Sequence, residues 1–139
     1  MTTNNEKYDP QWIVGFVDGE GCFYVGCFRN SSMTNGYQIQ ADFTVVQHER
    51  DIQILYGLKQ YFECGTVVVN HGNRYAFRVR KLEHLVDIII PFFEKHKLKS
   101  KRRIEFEKFR TICLKLQNGV HLTPEGFEEV KALAANLRV

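Results

Sequence analysis

Two carboxylates, Asp18 and Glu20, bracket Gly19 at the end of an apolar stretch, Trp12 to Gly21, reading WIVGFVDGEG. Just upstream, Asp9-Pro10 places an N-cap acceptor before a proline at the first helical position. A helix from about Pro10 would carry Trp12, Ile13, Val14, Phe16 and Val17 and stop near Gly19. Its last turn then presents two acids at the end where the macrodipole disfavours negative charge. Acids in that position point to a cation. Gly15 and Gly19 lie one turn apart on one face, where the missing side chains let another helix approach closely. Glycine weakens a helix, so two in so short a segment need a reason outside it. The bland alternative is a short buried helix with a glycine-rich exit.

The elements that must position these groups fit one domain, residues 1–139, long enough to bury a proper core. With 44% apolar and 25% charged residues, composition is that of a globular protein rather than a disordered one. No apolar run approaches the roughly 20 residues of a membrane span. The N-terminus, MTTNNEKYDP, lacks both the apolar segment of a signal peptide and the arginine-rich character of a transit peptide. The protein is therefore expected to work in the compartment where it is made. Cys22, Cys27, Cys64 and Cys113 show no metal-ligand spacing, and reduced, mostly buried thiols are the better reading. His48, His71, His84, His96 and His121 form no cluster by spacing either. The net charge of +3 says little, but its distribution says more. Lys95, Lys97, Lys99, Lys101, Arg102, Arg103, Lys108 and Arg110 face only Glu105 and Glu107 in the same stretch.

Cys22 to Arg29 is aromatic and β-branched and predicts a strand; Asn30 to Gly36 is turn-forming. Tyr37 to Gln47 alternates, with Gln38, Gln40, Asp42 and Thr44 on one face and Ile39, Ala41, Phe43 and Val45 on the other. His48 to Phe62 takes helical period along Ile52, Leu55, Leu58 and Phe62. Gly65 to Asn70 and Arg74 to Arg80 form a second hairpin around His71-Gly72-Asn73, with Arg74, Arg78 and Arg80 on one face. Leu82 to Ile90 is helical until Pro91, and His96 to Ser100 is a polar connection. Lys101 to Gln117 is a helix buried along Phe106, Phe109, Cys113 and Leu116, and a last helix runs from Thr123-Pro124 towards Leu137. The order predicts an α+β fold: one four-stranded antiparallel sheet with helices on a single face.

The polar faces of the strands then stay open, and they present Tyr24, Asn30, Ser32, Gln38, Gln40, Asp42, Thr44, Thr66, Asn70, Arg74, Arg78 and Arg80. Any half-solvated sheet has a polar outer face. Glutamine and asparagine, however, read adenine edges, arginine reads guanine, and strands can enter the major groove. Three arginines on one strand and a basic helix entry favour nucleic acid. Lys97, Lys101, Arg102 and Arg103 would position the backbone through phosphate contacts without reading bases.

Ile13 to Gly21, IVGFVDGEG, resembles the LAGLIDADG motif of homing endonucleases, with Gly15, Asp18, Gly19, Glu20 and Gly21 on its most characteristic positions. The departures are Val14 and Gly19 for alanine and Glu20 for aspartate. The order of elements is similar to that family's αββαββα domain with its saddle-like sheet. One motif in the chain implies a homodimer, with Trp12, Gly15, Phe16 and Gly19 at a helix pair. The resemblance further implies a Mg²⁺-dependent double-strand DNA endonuclease acting on a long pseudo-palindromic target, with Mn²⁺ or Ca²⁺ able to substitute in binding. Glu20 would be the direct ligand, the Gly19 carbonyl would assist, and Asp18 would be either a metal contributor or a helix-end hydrogen-bonding group. Gln47 matches a polar residue that orients water, and Lys99 one that stabilises transition-state charge; Lys97 and Lys101 compete for that place. Where the family can carry a basic residue after the glutamine, this chain has Arg50 followed by Asp51. The alternatives within the same fold are an intron RNA maturase, with host intron RNA as partner, and a non-catalytic DNA-binding regulator. An intron-encoded protein of this kind is expected in an organelle or a prokaryotic cytoplasm.

Overall fold

The computed structural model describes residues 8–33 and 36–138; the polar N-terminal segment and the tip of the first predicted turn fall partly outside them. Helix α1, Pro10–Glu20, begins as the sequence predicts: the Asp9 carboxylate accepts the Gln11 amide at 2.7 Å. It runs one residue past Gly19 and buries Ile13, Val14 and Val17. The chain turns directly into β1, Gly21–Arg29. A Cβ at Gly21 would lie 2.6 Å from the Val17 side chain and 2.9 Å from its carbonyl oxygen, so only glycine allows this exit.

Strands β1, β2 (Tyr37–His48), β3 (Thr66–His71) and β4 (Arg74–Val79) form one antiparallel sheet in the order β1-β2-β4-β3. The register aligns Phe23 with Phe43 and Phe43 with Val79, which puts the apolar residues on one face. Helix α2 (Ile52–Phe62), α3 (Leu82–His84), α4 (Ile90–Lys95), α5 (Arg102–Gln117) and α6 (Pro124–Ala135) complete the fold. The core is aromatic: Phe23 packs on Phe43 and Phe109 with ring centroids 5.1 Å from each, and Phe43 meets Phe93 at 5.8 Å. Helix α5 buries Phe106, Phe109, Cys113 and Leu116, the stripe its spacing predicts, and Ile112 with them. The four cysteines are free thiols, and burial pushes that of Cys113 up to about 12. No helix among the described residues is long and apolar enough to cross a membrane.

Two boundaries differ from the sequence prediction. The helix predicted from His48 begins at Ile52, because Gln47 and His48 stay in the ladder opposite Tyr75 and Arg74. His48 instead caps a 3₁₀ turn, Glu49–Asp51, its Nδ1 accepting the Arg50 amide at 3.1 Å. Nor does Pro91 end its helix. A π-helical turn, Leu85–Ile89, precedes it, with the Ile90 amide bonded to the Leu85 carbonyl, and α4 continues beyond the proline to Lys95. The wider turn draws carbonyls away from the pyrrolidine ring, and a proline at the start of α4 has no amide to leave unbonded. The predicted polar connection also hides one apolar anchor, Leu98, which is buried.

Candidate functional site

The two acids of the motif meet different fates. The Asp18 carboxylate accepts the Lys99 amide at 3.0 and 3.2 Å, the Ser100 amide at 3.1 Å and the Ser100 hydroxyl at 2.7 Å. Partial burial alone would push its pKa up; the Ser100 hydroxyl and amide, the Lys99 amide and the Lys99 charge outweigh that and hold it below the ordinary carboxylate value. Of the two roles open to it, the helix-end hydrogen-bonding group is the one its contacts fill. It ties α1 to the loop before α5, where Leu98 plugs into the core and the Ser100 hydroxyl accepts the Arg102 amide at 3.1 Å. Glu20, by contrast, is exposed and has no hydrogen-bond or ion-pair partner among the described residues.

Gln47 lies close by: Gly21 pairs with Val45, so Gln47 sits two residues beyond the partner of the motif's last glycine. It is a strand residue in register with Val45 and Phe43, not a helix-start residue. The Lys99 backbone is beside the motif, but its ammonium donates to Gln11 Oε1 at 3.2 Å, near the opposite end of α1 from Glu20. To act beside Glu20 it must rotate away from Gln11. Lys97 and Lys101 are exposed and form no ion pair among the described residues. Arg50 is exposed on the 3₁₀ turn. Sequence reasoning missed Gln11 and Ser100; their partners lie 88 and 82 residues away, beyond any local pattern.

The outer strip of α1 carries Trp12, Gly15, Phe16 and Gly19. Trp12 is 43% exposed and stacks on Phe16 at 5.0 Å, while Tyr8 packs against Trp12 at 4.8 Å. A Cβ at Gly15 or at Gly19 would meet nothing within 4 Å. Packing within the chain therefore does not require glycine at either position. Among the described residues, no group of three His, Cys, Asp or Glu side chains could hold a metal. Oxygen donors such as Glu20 and the Gly19 carbonyl suit a hard divalent cation.

The open sheet face holds most of the residues predicted for it. Tyr24, Ser32, Thr66, Asn70, Arg74 and Arg80 are exposed, and Asn30, Gln38, Gln40, Thr44 and Arg78 are partly so. Several are pre-set by their neighbours: Asn30 donates to Gln38 at 2.9 Å, and Arg78 donates to Asn70 at 3.4 Å. Two expectations need correction. Asp42 is only 7% exposed; it pairs with Arg80 at 2.8 Å and accepts the Thr44 hydroxyl, so it braces the face rather than reading a ligand. Arg102 is not a free phosphate contact, because its guanidinium turns in to Glu105 at 2.8 Å, itself only 2% exposed. Arg103, paired loosely with Glu107 at 3.7 Å, remains at the surface.

The sequence profile described as LAGLIDADG endonuclease matches residues 13–113. Among curated proteins, probable intron-encoded endonuclease 2 of Neurospora crassa is 29% identical over 128 residues, covering 91% of this chain and 26% of that protein. DNA endonuclease I-CvuI of Chlorella vulgaris is 24% identical over 110 residues, covering 77% of this chain and 68% of that one. The chain spans about a quarter of the length of the first of these relatives. Among solved structures, the homing endonuclease I-TnaI superposes with a TM-score of 0.92 at 48% identity, covering 96% of this chain and 90% of that one. The LAGLIDADG homing endonuclease I-SmaMI, crystallised bound to cleaved DNA, gives 0.89 at 32% identity, covering 96% and 45%. The profile match takes in the motif, all four strands and the loop tied to Asp18, and on that ground the chain belongs to the LAGLIDADG endonuclease family.

Proposed function

We propose that the chain is one subunit of a homodimeric, site-specific, Mg²⁺-dependent double-strand DNA endonuclease that hydrolyses phosphodiester bonds at a pseudo-palindromic target. The observation that carries this reading is Glu20: an exposed carboxylate, without a partner among the described residues, at the foot of a glycine-bearing helix face directly before the sheet. It is supported by I-SmaMI, which has been crystallised with cleaved DNA and, with calcium ions, on its uncleaved target. Twofold packing of the Trp12–Gly15–Phe16–Gly19 strip on its symmetry mate covers the exposed aromatics and brings two Glu20 side chains together. The two Glu20 carboxylates, with the Gly19 carbonyls, would hold a divalent cation, which would supply water activation and charge neutralisation at the phosphate.

The chain's own groups do the remaining work. Asp18 fixes the end of α1 to the Lys99–Ser100 loop and so holds Glu20 in place. Gln47 orients water from the neighbouring strand, and Lys99, Lys97 or Lys101 brings positive charge to the phosphate from the loop. Arg74, Arg78, Gln38 and Gln40 read the major groove from the open face, and Lys97, Lys101 and Arg103 position the backbone. An intron-encoded enzyme of this kind works in an organelle or a prokaryotic cytoplasm.

The test is Glu20→Gln, assayed on a site recovered by cleavage selection from a random duplex library with Mg²⁺. Cutting should be lost while target binding is retained. Cutting by the variant at the wild-type rate would refute the assignment. Dimerisation has a separate readout: sedimentation should give twice 16.3 kDa, and Gly15→Leu should return the mass to that of one chain. A monomer that still cuts both strands would sink the shared helix face.

A further inference from the structure

On the open face, β1 differs from its neighbours. Strands β2 and β4 present amides, hydroxyls and guanidinium groups there, whereas β1 presents Tyr24, Gly26 and Phe28. Phe28 is 49% exposed and Tyr24 46%, and neither ring packs on another aromatic among the described residues. Both rings converge over Gly26. A Cβ at that position would lie 2.6 Å from Phe28 Cζ and 2.9 Å from Tyr24 Cε2, so the missing side chain is what lets them lie down on the strand as one apolar plate.

Facing that plate across the register are Gln38, opposite Phe28, and Gln40, opposite Gly26. Gln38 Oε1 is occupied by Asn30, which leaves its Nε2 to donate outward. Gln40 Nε2 donates to the Ala41 and Arg80 carbonyls, both at 2.9 Å, which leaves its Oε1 to accept. Plate and amides, with Asp42 and Arg80, line a hollow of about 360 Å³.

We propose that the Tyr24–Phe28 plate reads the C5-methyl group of a thymine in the major groove, while Gln38 and Gln40 bond the polar edge of the same A·T pair. This rests on the reading that the open face docks duplex DNA. The edge of an A·T pair offers N7 as acceptor, N6–H as donor, O4 as acceptor and then the methyl group. The Gln38 donor matches O4 and the Gln40 acceptor matches N6–H. Phe28 has no polar atom, so among the groups on the groove floor only a methyl gains from contact with it. A C·G pair at this place presents a bare C5–H to the rings and a donor to the Gln38 donor. Tyr24 lies opposite Asp42 and Arg78 opposite Thr44, two residues on along β2, so the register puts the plate on the same face of the sheet as Arg78.

The experiment replaces each thymine of the selected target by deoxyuridine, one position at a time, and measures binding by wild type, Phe28→Ala and Gly26→Ala. In wild type, one or two positions per half-site should show binding weakened about fourfold by loss of the methyl group, the equivalent of ~0.8 kcal/mol per buried carbon. Phe28→Ala should bind the thymine and uracil forms of those sites equally, while uracil at other positions remains without effect. Gly26→Ala, which forces the rings off the strand, should do the same, and it keeps the test open if Phe28→Ala does not fold. Wild type indifferent to uracil everywhere, or sensitivity that survives both substitutions, overturns the plate assignment and leaves the endonuclease reading standing. Failure of wild type to bind any duplex overturns both.

Discussion

On the covered face of the sheet, Phe23, Phe43 and Phe77 alternate along three strands and pack ring against ring beneath Phe93 and Phe109. One residue away along the same strands, the open face carries Thr44 and Arg78, partly exposed and bonded to Asp42 and Asn70. The contrast teaches where free energy and information reside. The covered side works by volume, and a change of size there is felt. The open side works by donor and acceptor pattern, and most of its residues can change at little expense to the fold. Asp42 marks the limit of the second rule: on the open side, it is as buried as a core residue, and its pairing with Arg80 makes it structural.

The largest expected effect lies on the covered face. Phe43 is fully buried and touches three other rings, so Phe43→Ala should destabilise the protein by ~3–5 kcal/mol, measured by denaturant unfolding. A loss below ~1 kcal/mol would mean that the aromatic layer is not the core and that the distinction between the faces fails.

How much of this contrast the sequence carried depends on range. The alternation of Ile39, Ala41, Phe43 and Val45 with Gln38, Gln40, Asp42 and Thr44 assigned the two faces of β2, because period two is a property of neighbouring residues. The Asp9-Pro10 start, the α5 stripe and the αββαββα order were legible for the same reason. Polarity said nothing about partners, however. Asp42 alternates like a solvated residue, and only Arg80, 38 positions away, turns it inward. Arg102 reads as a surface phosphate contact, and nothing in its spacing shows that Glu105 is buried and draws its guanidinium inward. Pro91 looked like a helix stop because a π turn leaves no local signature. In the site itself, the motif identified Glu20 and Asp18, but which acid is tied down and which stays open was decided by Ser100 and Lys99, more than 80 residues on.

Asp18, in the last turn of α1 and tied to the loop before α5, gives an intermediate effect. Asp18→Asn weakens the hydrogen bonds from Lys99 and Ser100 and should cost about 1–2 kcal/mol at neutral pH. Its folded pKa lies below the ordinary value of 3.8, so the carboxylate binds fewer protons folded than unfolded. Its contribution is therefore complete above that value and is lost as pH falls through the lower folded pKa. Thermal melts of wild type and variant should differ most near neutrality and converge as pH falls below roughly 4. A gap that widens in acid would mean that the tether is not held by the charged form.

The smallest effect on stability, and the sharpest test of the open face, belongs to Arg74. It is exposed on β4 opposite His48 and has no hydrogen-bond or ion-pair partner among the described residues, so Arg74→Ala should change stability by less than ~0.5 kcal/mol. Its consequence should appear in recognition instead. An arginine that reads a guanine edge contributes about 1–3 kcal/mol of discrimination at one base pair, and losing it leaves the salt dependence of binding nearly unchanged. An arginine that only neutralises phosphate contributes no base preference, and its loss lowers the salt slope by roughly 0.9. Binding measured across single-base variants of the target, each at several salt concentrations, separates the two. The expected result is a loss confined to one guanine position in each half-site with the slope preserved. A uniform loss with a shallower slope would reassign Arg74 from reading to positioning, and a fall in stability beyond 1 kcal/mol would place it with Asp42 among the structural residues of the open face.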